Sequence, residues 1–190
     1  CKVNLFEKRK DIRTNIMSAG RSINLALSHR GIKALKEAGV YQKIENELIP
    51  MKGRLIHNIN GNTQYQPYSI NSSDHINSIS RNKLNKILLD KAEEIEKVEI
   101  NFEHSLIKVD NNNLIFSNNK KHILNNNLVF GADGFNSEVR KYIDSKIDNK
   151  TNIQFLSHSY KELHINPDKN GNFKLDKNVL HIWPRGEFML

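Results

Sequence analysis

The spacing of hydrophobic and polar residues changes several times along the chain, and each change predicts a new element. Weak alternation over 2–9, ending in charges, predicts a parallel strand. Near-helical spacing predicts a helix over 29–38 that ends at Gly39, and a shorter helix over 41–48 that stops before Pro50. The chain therefore opens with a predicted βα unit followed by a short helix.

The pattern then switches to alternation and back again. Two alternating runs flank Asn60-Gly61, a dipeptide that favours a two-residue type I′ hairpin. The clearest helical pattern follows over 80–95, with Ser80 as its N-cap. Further along the chain, strands are predicted over 97–110, 113–118, 121–134, 153–165 and 178–190, with a helix over 137–143.

This order of elements predicts an α/β fold with a mostly antiparallel sheet attached to it. We expect one domain over 1–145 and, after a polar link at 144–152, the beginning of a sheet-rich domain over 146–190. The chain opens almost within one predicted strand and ends within another. We therefore expect it to be part of a longer protein, cut at both ends.

Composition narrows the class of protein. Among 190 residues there is one cysteine, which excludes an internal disulfide and a cysteine zinc site and favours a reducing, cytoplasmic location. No apolar run approaches the roughly 18 residues of a membrane span. The net charge of +8 fits either a surface for nucleic acid or anionic membrane, or a solvated exterior. Because the lysines are scattered, we expect no nucleic-acid partner.

Two carboxylates stand where α/β sheets bind nucleotides. Glu7 ends the first predicted strand, where an acidic residue can accept hydrogen bonds from ribose hydroxyls; a solvated glutamate is the alternative. The sequence GADG at 131–134 turns a predicted strand into a helix and brings amides and a carboxylate to the ligand-binding edge. An ordinary turn with Asn136 or Ser137 as N-cap is equally compatible with it.

The histidines allow a metal site to be considered. His158 and His164 flank Glu162, but we expect a structural or surface role for them, because metal sites demand a stricter ligand geometry. His181 and Trp183 share a face of the last predicted strand. We expect them to shape the second sheet, with no proton transfer.

Several longer strings carry a family resemblance. "GADGFNSEVR" resembles the DG motif of flavoprotein aromatic hydroxylases, and "SRNKLNKILL" resembles their Arg-x-x-Leu helix. With "GRSINLALSHRGIKAL", "IPMKGRLIHNINGN", "PYS" and "LHIWPR" in this order, the chain from about Glu7 to Leu190 is similar to the kynurenine 3-monooxygenase branch of that family. The resemblance implies an incomplete, Rossmann-like FAD/NAD(P)-binding domain with the start of a substrate-domain sheet.

The resemblance also implies site residues. For FAD these are Glu7, Lys8 and Arg9 at the adenosine ribose, Ala26 against the flavin, Arg81 near the diphosphate or ribityl chain, Leu106 at the adenine end, and Asp133 with Glu138. Arg54 and Tyr68, on the hairpin at about 54–70, would hold the carboxylate of L-kynurenine. They lie seven positions before and after Gly61, so we expect them to be close across the hairpin.

The implied reaction is hydroxylation of the ring of L-kynurenine to 3-hydroxykynurenine, with FAD as cofactor, NADPH as reductant and O2 as oxygen donor. No residue of the chain is expected to act as a nucleophile. A full-length eukaryotic form would carry a membrane anchor and reside at the mitochondrial outer membrane, and this stretch alone is expected not to hold FAD. Two alternatives stay open: a flavoprotein hydroxylase or reductase for another aromatic acid, and a basic, non-enzymatic binding module.

Overall fold

The computed structural model describes residues 1–14, 24–148 and 151–190, so that 149–150 of the predicted polar link lie outside the described residues. The elements are, in chain order, β1 (Val3–Phe6), β2 (Asn24–Leu27), α1 (His29–Glu37), α2 (Tyr41–Ile44), a 3-10 turn (Glu45–Glu47), β3 (Ile49–Met51), β4 (Gly53–His57), β5 (Thr63–Pro67), β6 (Ile76–Ser80), α3 (Arg81–Glu93), β7 (Val98–Asn101), β8 (Leu106–Val109), β9 (Asn113–Phe116), β10 (Lys121–Ile123), α4 (Glu138–Asp144) and β11 (Leu180–Ile182). The α/β class predicted from the sequence is confirmed.

The chain forms two compact units, one of 1–17 with 92–160 and one of 18–91 with 161–190. Each unit is built from two separate stretches of sequence. The predicted division into domains at 145 and 146 stays a prediction.

The first unit joins a parallel strand pair to a meander. β1 pairs in parallel with β7, and β8, β9 and β10 form an antiparallel sheet. Phe116 of β9 is 2% exposed, and its ring centroid lies 4.7 Å from that of Phe6 at the end of β1. The rings of His104 and His122 also contact Phe6. This aromatic cluster attaches the meander to the parallel pair and fixes the residue that follows Phe6.

The second unit has its core between a sheet and three helices. β6 lies between β2 and β3, both antiparallel to it. The buried residues of this core are Leu35, Val40, Ile44, Ile79 and Leu84. The predicted helices at 29–38, 41–48 and 80–95 are confirmed within a few residues as α1, α2 with its 3-10 turn, and α3. Leu88 of α3 is 37% exposed, because this helix packs on the core through Leu84 and Ile87.

The predicted hairpin is confirmed, whereas its turn type is wrong. β4 and β5 are antiparallel, with Gly53 opposite Pro67. The connection runs over 58–62, and the amide of Gly61 donates to the carbonyl of Asn58 at 3.1 Å. A type I′ turn requires positive φ at two central residues, but in this connection only Gly61 has one, at +87°. The longer connection satisfies its backbone groups without placing an asparagine in that conformation.

In the described part of the chain, the predicted strand over 153–165 is absent and the one over 121–134 is reduced to β10. Residues 153–165 and 128–130 show no strand pairing. Leu128 and Phe130 are 87% and 88% exposed. Alternation and apolar character predict a strand, but a strand forms only where a neighbour supplies hydrogen bonds, and no described strand pairs with these residues.

The hydrophobic pattern of the sequence did not predict the short strands that lie beside helices. β2, β3 and β6 were not predicted, since each has only three to five residues and joins a helix or another strand directly. β3 accommodates Pro50 because it is an edge strand. The last predicted strand, 178–190, is reduced to β11, which joins β4 in parallel although an antiparallel sheet was expected. Beyond it the chain bends back in a bridge between Pro184 and Met189.

Candidate cofactor and substrate site

The hairpin brings Arg54 and Tyr68 together on one face. Arg54 pairs with Gln66, so Tyr68 is its diagonal neighbour, and diagonal neighbours share a face of the sheet. The Tyr68 amide continues the ladder by donating to the carbonyl of Lys52 at 3.1 Å. Cζ of Arg54 lies 5.3 Å from the centroid of the Tyr68 ring. The predicted proximity of the two side chains is confirmed.

The Tyr68 hydroxyl lacks a partner among the residues that the structure describes. It is buried and makes no hydrogen bond to any residue that the structure describes. A buried polar group in that state costs about 1–3 kcal/mol. The guanidinium of Arg54, on an exposed residue, forms no ion pair within the described ranges. A carboxylate bound here would accept hydrogen bonds from both groups and remove that cost.

A cavity of about 610 Å³ lies within the second unit, against the sheet of β2, β6 and β3. Leu25 and Leu27 of β2 pack on the core, which turns Ala26 to the opposite face, toward the cavity. Ser78 of β6 is the register partner of Ala26, and it lines the cavity too. Two small side chains side by side leave a floor on which a flat ring can lie closely, and the volume is within the range of about 300–1,000 Å³ for small-molecule sites.

The opposite wall of the cavity is formed by residues between His164 and His181. Leu180 of β11 belongs to this wall and is the register partner of Arg54. The strand that carries the guanidinium is therefore hydrogen-bonded to a strand that lines the cavity.

Arg81 is placed by the junction of β6 and α3. It is the first residue of α3 and is half-buried. The Ser80 hydroxyl accepts a hydrogen bond from the amide of Lys83 at 3.4 Å, as predicted for an N-cap. The side-chain oxygen of the neighbouring Asn82 is buried without a partner among the described residues. An arginine at this positive end of a helix suits a phosphate-bearing ligand.

Glu7 follows β1 directly, and its backbone is fixed by hydrogen bonds with Asn101 and His104. Its Oε1 accepts from the amide of Arg9 at 2.9 Å, and the Arg9 guanidinium lies 3.8 Å from the same oxygen. Lys8 and Arg9 are exposed. The carboxylate is thus held at the end of a strand with its second oxygen unused by the described residues, which is the arrangement that a ribose diol requires. Leu106, half-buried, begins β8 in the same unit.

Asp133 caps the helix that follows it. Its Oδ1 accepts from the Ser137 hydroxyl at 2.5 Å, and its Oδ2 accepts from the amides of Glu138 and Val139 at 2.7 and 3.3 Å. Ser137 in turn accepts from the amide of Arg140 at 2.9 Å. The interpretation of this stretch as a turn with Ser137 as N-cap is confirmed, and the helix amides expected to face phosphate are already bound by Asp133.

These contacts set the charge of Asp133. Partial burial raises the pKa of its carboxyl, but hydrogen bonds from the Ser137 hydroxyl and the amides of Val139 and Glu138 outweigh that effect and hold the pKa below 3.8. Glu138 directs its carboxylate to Lys141 at 2.6 Å. A Cβ on Gly131 would lie 2.8 Å from that of Val139, so the turn packs on α4 only with glycine.

The predicted site residues fall into two groups by unit. The first unit holds Glu7, Lys8, Arg9, Leu106, Asp133 and Glu138, and the second holds Ala26, Arg54, Tyr68 and Arg81. Within the second, Arg54 meets Tyr68 and Ala26 lines the cavity. Convergence of both groups on one cofactor stays a prediction.

Two residues near the candidate site, Ser78 and His57, were not predicted from the sequence. Ser78 lies on a strand too short for its pattern to show, and His57 stands in the predicted hairpin without a motif to single it out. In the described ranges, no three of His, Cys, Asp and Glu come together as metal ligands, and no helix is both long and apolar enough to cross a membrane.

A model of the FAD binding domain family matches residues 15–173. The chain belongs to this family. Kynurenine 3-monooxygenase from Anopheles gambiae is 40% identical in an alignment 193 residues long, which covers 99% of this chain and 40% of the relative. The enzymes of that name from Myxococcus xanthus and Sus scrofa are 40% and 39% identical over 99% of this chain. The chain spans about two fifths of the length of these relatives.

Solved structures share the fold at low identity. The tetrameric form of 2-methyl-3-hydroxypyridine-5-carboxylic acid oxygenase superposes with a TM-score of 0.59 and 20% identity over 75% of this chain and 35% of that one. Pseudomonas aeruginosa PqsL in complex with 2-aminobenzoylacetate gives a TM-score of 0.53 and 19% identity over 80% of this chain and 41% of that one. These likenesses support the fold of an FAD-binding domain.

Proposed function

We propose that this chain is part of an FAD-dependent monooxygenase that consumes NADPH and O2 and hydroxylates the ring of L-kynurenine to give 3-hydroxykynurenine. The observation that carries the proposal is the pairing of Arg54 with Tyr68, whose buried hydroxyl makes no hydrogen bond to the residues that the structure describes. Relatives of about 40% identity over 99% of the chain bear the name of that activity.

The residues present fit a flavin nucleotide. The small pair Ala26 and Ser78 forms a floor for a flat ring, and Glu7 offers an acceptor oxygen at a strand end. The proposed FAD contacts are Glu7, Lys8 and Arg9 at the ribose, Ala26 at the ring, Arg81 at the diphosphate or ribityl chain, Leu106 at the adenine end, and Asp133 and Glu138 around the turn. FAD, when bound, supplies the redox chemistry that links NADPH and O2 to the substrate.

Asp133 acts on this site chiefly through the backbone. Because its oxygens fix the amides of Glu138 and Val139, it determines where the turn at 131–134 presents its own backbone groups. Its Oδ1 accepts only the Ser137 hydroxyl among the described residues. One lone pair there is left for a hydroxyl of the cofactor.

The hairpin accounts for recognition of the amino-acid end of the substrate. A guanidinium binds a carboxylate through two parallel hydrogen bonds, and the Tyr68 hydroxyl adds a third, directional donor. With its carboxylate anchored there, the aromatic ring of the substrate is directed to the cavity. Ring hydroxylation by a flavin needs orientation and a dry site from the protein, and no nucleophilic side chain.

The test uses the full-length protein loaded with FAD. We expect NADPH oxidation that depends on kynurenine, with formation of 3-hydroxykynurenine. Arg54→Ala should weaken kynurenine binding by about 1.5–3 kcal/mol, the range for hydrogen bonds to a charged group, since it removes the charged partner of the substrate carboxylate. Arg54→Lys should restore only part of the loss, because a lysine cannot form the two-pronged contact.

Arg30→Ala, which removes an exposed arginine of α1, is the matched control and should leave binding unchanged. Absence of the hydroxylated product from FAD-loaded protein would reject the proposal. An unchanged KM for Arg54→Ala would reject the role of the hairpin. Turnover of a different aromatic acid in the same assay, with none of kynurenine, would identify a flavoprotein hydroxylase of other specificity.

A further inference from the structure

Two histidines meet on the side of the hairpin sheet that faces away from Arg54. His57 ends β4, and because side chains alternate along a strand it lies on the opposite face from Arg54. His181 lies on β11, which pairs in parallel with β4. Nε2 of His57 is 2.9 Å from Nδ1 of His181.

The hydrogen bonds determine the tautomer of each ring. Nε2 of His181 lies 2.8 Å from the backbone carbonyl of Asp176, and a carbonyl only accepts, so this nitrogen carries the proton. Nδ1 of His181 is therefore an acceptor, and His57 donates to it through its own Nε2 proton. The pair can take up one proton and keep the bond, because either ring can then donate to the other, whereas protonation of both rings leaves two N–H donors facing each other and abolishes it.

Trp183 and Arg185 extend the contact. The ring of His57 stacks on Trp183 with centroids 4.3 Å apart and planes 13° apart. The ring of His181 stacks at 5.7 Å from the same indole. The Arg185 guanidinium donates to the carbonyl of His57 at 2.9 Å. Side-chain contacts thus join β4 to β11 and to the segment that follows it.

We propose that His57, His181 and Trp183 form a positioning unit, which holds β4 and its Arg54 in register with the cavity-lining strand β11 and loosens when the histidine pair takes up protons. The inference rests on the proposed function, because it concerns the affinity of the kynurenine site. His57 and Trp183 are not among the residues that line the cavity, whereas His181 is; the unit acts through the placement of Arg54.

The charges around the unit favour its neutral form. The guanidinium of Arg185, from the segment after β11, reaches His57, and β11 contributes His181. The loop before β11 contributes a carbonyl of Asp176, and β5 places the neutral Thr63 opposite His57. Burial lowers the pKa of His57, and the positive charges of His181 and Arg185 lower it further, below 6.5. Because the folded-state pKa lies below that of the unfolded chain, the stability contributed by neutral His57 is present above about pH 6.5 and is lost as the pH falls below it.

The experiment measures KM and kcat for kynurenine in the FAD-loaded full-length protein from about pH 8 to about pH 5.5, a range in which the substrate carboxylate stays ionised. We expect KM to rise about tenfold or more toward the acid end, with a smaller change in kcat, because the placement of Arg54 is what loosens. His57→Gln does not titrate, and its side-chain amide can donate to neutral His181 or accept from protonated His181, so that the contact persists at every pH. This variant should keep the low KM and remove the pH dependence, whereas His57→Ala should raise KM at every pH.

A pH dependence of KM that is unaltered in His57→Gln overturns the inference, and so does a normal KM in His57→Ala. If His57→Ala fails to fold, the glutamine variant still decides the question.

A second readout separates this inference from the proposed function. Trp183 is the single tryptophan of the chain, so the difference in fluorescence between the protein and its Trp183→Phe variant reports on the stack. The Trp183 signal should titrate with pH in the protein and not in His57→Gln, without any substrate present. Should kynurenine fail to bind, the proposed function fails and this titration alone decides the inference: a signal that is flat with pH overturns it.

Discussion

Replacing Tyr68 by phenylalanine tests the candidate site most directly, because the structure predicts effects of opposite sign on two quantities. The change removes one oxygen and keeps the ring on which the Arg54 guanidinium lies, at 5.3 Å from its centroid. The hydroxyl is buried and without a hydrogen-bond partner in the described part of the protein. In the substrate-free protein this hydroxyl therefore lowers the free energy of unfolding, and in the complex it donates a hydrogen bond to the carboxylate.

The magnitudes follow from these two states. Removing an unsatisfied buried hydroxyl should raise the free energy of unfolding of the substrate-free protein by about 1–3 kcal/mol. Losing a hydrogen bond to a charged carboxylate should cost about 1.5–3 kcal/mol of kynurenine binding, or about 10- to 150-fold in Kd. The same variant should thus be more stable and bind more weakly.

Urea unfolding of the substrate-free, FAD-loaded protein measures the first quantity, and titration with kynurenine measures the second. Tyr65→Phe is the matched control: Tyr65 lies on the same hairpin, is 51% exposed, and should change neither quantity by more than about 0.5 kcal/mol. If Tyr68→Phe binds kynurenine as well as the parent does, the hydroxyl does not meet the carboxylate and the substrate assignment is wrong. If the variant is less stable, the hydroxyl already has a partner in the free protein.

Two further changes test the backbone around the site. Gly53→Ala should destabilise the protein by about 1–3 kcal/mol in urea unfolding, because the new Cβ would lie 2.5 Å from the carbonyl oxygen of Gln66; adding Tyr65→Ala should not restore stability, since the closest contact is to backbone. Asp133→Asn should remove an acid-sensitive contribution to stability. The pKa of Asp133 is held below 3.8, so the contribution is present above that pH and is lost as the pH falls toward the folded-state value. Urea midpoints at about pH 5 and about pH 3 should therefore differ more in the parent than in the variant, and equal differences would contradict the capping geometry.

The helices and the hairpin were predictable because their signals are local. The pattern that gave α3 is carried by its own apolar spacing and by Ser80, and Gly39, with φ of +66°, follows α1 as predicted. The strands of the sheet β2-β6-β3 were not predictable from the sequence. β3 and β6 form because they pair with each other, and neither has an alternating pattern long enough to predict a strand. The opposite error at 153–165 has the same cause, since the alternation there meets no neighbouring strand among the described residues.

The contacts of the candidate site also differ in whether the sequence predicts them, and local contacts were predictable where long-range ones were not. Arg54 and Tyr68 could be placed together by counting from Gly61, because an antiparallel ladder converts sequence distance into spatial neighbours even when the turn type is mistaken. The partnership of Ala26 with Ser78 could not, since it depends on how β2 and β6 pair across more than fifty residues. The contact of His57 with His181 depends on the pairing of β4 with β11, which are even further apart in the sequence, so no local pattern predicts it.

The turn at 131–134 shows why two interpretations of one motif need not compete. A carboxylate between glycines was compatible with a ligand contact or with an ordinary capped turn, and the structure shows the cap. The cap favours the charged carboxylate, because both oxygens accept hydrogen bonds, and these bonds lower the pKa of that carboxyl. A charged, immobile acceptor beside glycine backbone is also what a ligand rich in hydroxyl groups would use. If FAD binds here, the helix cap is therefore the means by which the turn is preorganised for it, and loss of the cap should weaken FAD binding even where no side-chain contact to the cofactor is removed.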